Sequence, residues 1–134
     1  MVSNAYAFHN LRRAFIMMPD GNLLVAPKNT DLSHEQMLNS TGMVRDDIPK
    51  FLTTVPRGYF MNGELCIYQG FDMTPGAIWR VPVESYNIVR RFIPKLRQEF
   101  AITDDTNLYL GVRVGAVGTI WPKLYKTTIG AFMR

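Results

Sequence analysis

The dipeptide Asn62-Gly63 constrains this chain more than any other local feature, because residues of strand character flank it on both sides. Asn followed by Gly readily takes the two positive φ angles of a type I′ turn, whose twist matches that of the strands it joins. Residues 57–61 and 64–69 therefore read as a β-hairpin. A second hairpin is expected upstream. Apolar runs at residues 12–18 and 23–26 flank Pro19-Asp20-Gly21-Asn22, and a Pro-Asp-Gly turn between two such runs folds the chain back on itself.

Between the hairpins the pattern changes to helix. Ser33 and Gln36 have the spacing of a capping box, in which each side chain satisfies a backbone N–H of the first turn. Gly42 can adopt the left-handed conformation that stops a helix. A further short helix is expected from Asp46 or Asp47, with Pro49 in its first turn. Ile48, Phe51, Leu52 and Val55 give it a buried side, and Pro56 closes it. The longest helix should run over residues 83–100. There Tyr86, Val89, Ile93, Leu96 and Phe100, with Phe92 beside them, form one apolar stripe. Pro94 cannot donate to the carbonyl of Arg90, so a kink or a split is expected in mid-helix. After Asp104-Asp105 the apolar period becomes two. Leu108, Leu110, Val112 and Val114 fall on one face of a strand, and a last strand should cover residues 124–132.

Strands grouped in hairpins and interrupted by helices imply an α+β fold. The expected form is an antiparallel sheet built from hairpins, with the Pro-kinked helix and the two short helices packed on one face. With no repeat and no Ser/Gly/Pro-rich linker, residues 1–134 read as a single domain.

Several classes of function drop out on chemistry. No stretch approaches the roughly 20 apolar residues of a membrane span, and residues 1–13 are too polar for the core of a signal peptide. The lone cysteine, Cys66, can close no internal disulfide, which fits a reducing compartment, and a cytoplasmic location is expected. Without a secretory signal, the glycosylation pattern Asn39-Ser40-Thr41 has no use. His9, His34 and Cys66 lack metal-ligand spacing. The pairs Asp46-Asp47 and Asp104-Asp105 read as caps or turn formers. No metal and no cofactor is expected. Cys66 lies between Leu65 and Ile67, the usual setting of a buried, inert thiol. The glycine-rich stretch 111–118 leads into strand where a phosphate loop would lead into a helix.

What remains points to binding. The 15 basic and 11 acidic side chains leave a charge of +4, and no acid follows residue 106. Arg90 and Arg97, seven residues apart, share one edge of the long helix, where they snorkel or form an anion-facing edge joined by Arg91 or Arg113. Tyr59, Phe60, Tyr68, Phe71, Trp79, Tyr109, Trp121 and Tyr125 all fall on strands or strand ends. Eight methionines, among them Met61 next to an exposed turn and Met73 in a loop, suit adaptable contact surfaces, though thioethers fill core gaps more often.

The first reading is a small non-catalytic interaction module that binds a macromolecular partner, another protein or its own copies, through an aromatic- and Met-containing sheet face or edge, as a regulator or inhibitor of a larger machine would. The second is a binder of an anionic small molecule such as a nucleotide. There Arg90, Arg97 and Arg113 would meet the charge, and Tyr109 or Trp121 would stack on the ring. Nucleic acid ranks behind both. An enzyme ranks last, since it would need His34 to meet Cys66 or an aspartate in one pocket.

Overall fold

A computed structural model of the chain describes residues 12–69, 83–112 and 124–134. In chain order the elements are β1 (Arg13–Met17), β2 (Leu23–Val25), α1 (His34–Ser40), α2 (Ile48–Leu52), β3 (Pro56–Met61), β4 (Glu64–Gln69), α3 (Val83–Glu99), β5 (Asn107–Val112), β6 (Leu124–Thr128) and α4 (Ile129–Met133). A single 3-10 turn, Arg45–Asp47, leads into α2. The six strands form one sheet in the order β2-β1-β3-β4-β5-β6.

The sheet is mixed, which corrects the expectation of a purely antiparallel one. β4 and β5 run parallel, in register from Leu65 opposite Leu108 to Gln69 opposite Val112, while the other four pairings are antiparallel. The cause is the connection. A tight turn can only reverse a strand, whereas a chain that passes through a helix before rejoining the sheet can come back in the same direction. Between β4 and β5 the chain passes through the 17-residue α3.

The helices also cover both faces of the sheet and not one. Phe15, Met17, Leu65, Ile67, Leu108 and Leu110 pack with Val89, Ile93 and Leu96 of α3 and with Ile129 and Phe132 of α4. Ala14 and Ile16 point the other way, into a second cluster with Met37 and Leu38 of α1 and Ile48 and Leu52 of α2. Because successive side chains on a strand face opposite sides, the unbroken apolar run from Ala14 to Met17 requires cover on both. All four are almost fully buried.

A third difference lies at the C-terminus, where the strand expected through Phe132 ends at Thr128. The Thr128 hydroxyl accepts from the backbone N–H of Ala131 at 3.2 Å and caps α4, whose Ile129 and Phe132 are buried three residues apart. α4 is pinned at its start. The N–H of Ile129 donates to Thr106 O (3.0 Å), and that of Gly130 donates to Asp104 O (2.9 Å).

Local signals account for the other ends. Ser33 and Gln36 form the reciprocal cap of α1. Asn62 and Gly63 have φ of 56° and 75° in the turn between β3 and β4. α3 is one continuous helix over Val83–Glu99 with Pro94 inside it. Val114 and most of the glycine-rich stretch lie outside the described residues.

Candidate binding cleft

The stripe that seats α3 on the sheet leaves two flanks of the helix with different surroundings. On one flank stand Arg90 and Arg97. Arg90 is directed at α4: its Nε donates to Phe132 O at 3.4 Å, one Nη donates to Asn87 Oδ1 at 3.3 Å, and the guanidinium lies 4.7 Å from the Phe132 ring centroid. Arg97 pairs with Asp104, Nη2 to Oδ1 at 2.6 Å. Both arginines thus hold the chain segments that follow α3.

Tyr109 is on the opposite side of the sheet. Its neighbours Leu108 and Leu110 face α3, so strand alternation turns Tyr109 away from it. There its hydroxyl donates to Glu64 Oε2 at 3.0 Å, an acceptor shared with Asn107 Nδ2 at the same distance. Lys126 Nζ stands 5.7 Å from the Tyr109 ring centroid. The structure therefore does not bring Arg90, Arg97 and Tyr109 to one place. Arg113 and Trp121 lie outside the described residues.

Beside Glu64 on this face is Cys66. Burial, with a smaller contribution from the Glu64 charge, pushes its thiol up from 9.0 to about 11. That is the opposite of the cationic setting that makes a cysteine nucleophilic. Since the unfolded thiol ionises near 9.0 and the folded one near 11, the contribution to stability is complete below pH 9 and is lost as pH rises through about 11. The same shift lowers the thiolate fraction at pH 8 by about a hundredfold. Alkylation of native protein by iodoacetamide should be slower than that of a cysteine peptide by about this factor, and Glu64→Gln should speed it; equal rates would contradict the shift. His34, the other group an enzyme would recruit, is buried, with Nε2 3.0 Å from Gly58 O and its ring 4.6 Å from that of Tyr59. A carbonyl only accepts, so Nε2 carries the proton. Among the described residues, no group of three or more His, Cys, Asp and Glu is placed to hold a metal ion, and no helix is long and apolar enough to cross a membrane.

The second flank of α3 carries Ile88, Arg91, Phe92 and Lys95 at steps of three, one and three residues, so they line one side of the helix. Against it lie the β1–β2 turn and the junction between α2 and β3. Together they enclose a cleft of about 440 Å³. Its floor is apolar: Met17, Val55 and Phe92 are almost fully buried. Met18, Pro56 and Ile88 form the walls, and Arg91 and Lys95 stand exposed at the rim.

The acceptors of the two rim cations are backbone carbonyls. Arg91 Nε donates to Asn87 O at 3.4 Å, and Lys95 Nζ donates across the mouth to Gly21 O. Lys95 Nζ also lies 5.7 Å from the Phe92 ring centroid. The ion pairs among the described residues are Arg12–Asp31, Arg13–Glu99 and Arg97–Asp104, so Arg91 and Lys95 have no carboxylate there. From the sequence Lys95 counts only toward the basic excess of residues 84–99, and neither it nor Ile88 is a candidate site residue. The available signal was the spacing of Ile88, Arg91, Phe92 and Lys95, in which apolar and basic residues alternate along one flank beside the main stripe. Comparison with protein-family models, curated proteins and solved structures finds no match to this chain.

Proposed function

We infer that this chain is a small non-catalytic interaction module, and that its contact site is the cleft beside Ile88, Arg91, Phe92 and Lys95, which holds a segment of a protein partner. The observation that carries this reading is an apolar floor bordered by two cations that have no carboxylate among the described residues. An apolar anchor in a pocket with a charged rim is how a small patch gains both affinity and selectivity. The thioethers of Met17 and Met18 suit such a site, because unbranched side chains repack around differently shaped guests.

The test is to pan a displayed library of random peptides on the full chain, with Ile88→Glu protein as the counter-selection. The expected result is a set of peptides retained by the wild type and lost on Ile88→Glu. Equal retention by both would remove the cleft from the reading. A second reading, an anionic small molecule in the same cleft, is favoured by its volume of about 440 Å³, inside the range of roughly 300–1,000 Å³ usual for such ligands. Native mass spectrometry separates the two. Extra mass that disappears on denaturation supports the small-molecule reading, and the same spectra report whether the chain pairs with its own copies.

A further inference from the structure

Resting on that reading, we propose that the partner segment places a carboxylate next to the apolar side chain it buries, and that Arg91 and Lys95 take this carboxylate together, Lys95 leaving the Gly21 carbonyl to do so. The two cations are four residues apart on α3 and so lie one helical turn apart, on the same side of the cleft mouth. A backbone carbonyl satisfies a donor but leaves its positive charge uncompensated. A carboxylate does both, because it adds the attraction of an opposite formal charge to the hydrogen bond. Among the described residues Arg12, Arg13 and Arg97 already have such partners; Lys28, Arg45, Lys50, Arg90 and Lys126 do not, but none of these borders the cleft.

The nearest acid in the β1–β2 turn does not fill the role. Asp20 turns inward on its own loop, its Oδ1 accepting from the Asn22 N–H and its Oδ2 from Asn22 Nδ2, both at 2.9 Å. The cleft therefore offers apolar volume and positive charge side by side, which matches an amphipathic occupant with an acid adjacent to its anchor. The exchange at Lys95 is inexpensive. Gly21 lies in a turn between two exposed residues, Asp20 and Asn22, where water can replace the lost donor. The Gly21 N–H keeps its bond to Met18 O at 3.0 Å. Binding thus unties α3 from the β1–β2 turn while leaving the turn itself closed.

The most enriched peptide from the panning is synthesised in two forms, as selected and with every Asp and Glu changed to Asn and Gln. Titration calorimetry then compares them on wild-type protein and on the double variant Arg91→Gln, Lys95→Gln, whose changes are at exposed positions. The acidic form should bind the wild type at least ten-fold more tightly (~1.4 kcal/mol). That ratio should fall towards one in the double variant, and also in the wild type as salt rises to about 0.5 M and screens the pair. Equal binding of the two forms, or a ratio the double variant leaves intact, overturns this inference while the cleft reading stands. No enrichment at all, or enrichment insensitive to Ile88→Glu, overturns the cleft reading and this inference with it.

Discussion

Gly58→Ala should lower stability by on the order of 3 kcal/mol or more, or leave the protein insoluble, as expected when added volume meets backbone that cannot move aside. Gly58 lies in β3, between β1 and β4, opposite Phe15 on one side and Ile67 on the other. A Cβ built there would stand 1.9 Å from the carbonyl oxygen of Cys66 and 2.9 Å from its carbon. Those atoms belong to the neighbouring strand, so no side-chain rotation relieves the clash, and β4 would have to shift within a six-stranded sheet. The Gly58 carbonyl also faces Nε2 of the buried His34, so a shift of β3 would disturb the seat of α1. A useful contrast is Gly63, whose added Cβ meets nothing within 4 Å; its φ of 75° should limit the cost of Gly63→Ala to about 1 kcal/mol. Denaturant midpoints compare the two. A Gly58→Ala protein as stable as Gly63→Ala would refute the close approach of β3 to β4.

The second large effect concerns the two layers of helix. Phe15→Ala should cost about 3–5 kcal/mol and Ile16→Ala about 2–5 kcal/mol, although adjacent residues of one strand are changed. Both side chains are 0% exposed. Phe15 packs against the α3 layer, its ring 5.8 Å from that of Phe100, while Ile16 packs under α1 and α2. A strand with one wet face would show a large effect at one position and a small one at the next. Urea unfolding of both variants decides it: an Ile16→Ala loss below about 1 kcal/mol would mean that α1 and α2 do not form a packed layer.

Features set by chemistry within a few residues were legible in the sequence. The Asn62-Gly63 turn and the Ser33–Gln36 cap depend on conformations and bonds that these residues favour wherever they stand. The pairing of β5 was not legible, because whether it joins β4 in parallel depends on how the intervening chain crosses the sheet. The two-sided burial of β1 was written in the run Ala14-Phe15-Ile16-Met17, which a one-faced strand would have broken with polar residues. Charge availability on α3 was the least legible. Arg90, Arg91, Lys95 and Arg97 look alike in sequence, yet among the described residues Arg97 finds the carboxylate of Asp104, Arg90 turns to Phe132 of α4, and Arg91 and Lys95 reach backbone carbonyls at the cleft. Which cations are left for a guest is a product of tertiary structure.

The parallel junction of β4 and β5 also sets a timetable for the growing chain. Everything needed to pair β1 through β4, and to lay α1 and α2 over one side of them, has been synthesised by Gln69. The cover for the other side, α3 and α4, comes later in the sequence. At roughly 5–20 residues per second, a nascent chain whose first four strands had already paired would carry Phe15, Met17, Leu65 and Ile67 as a bare apolar wall for some seconds. A message truncated after Gln69 would make that condition permanent. The resulting fragment would be half clothed, with one dry layer and one sticky face, and chaperones rather than buffer would be its natural company.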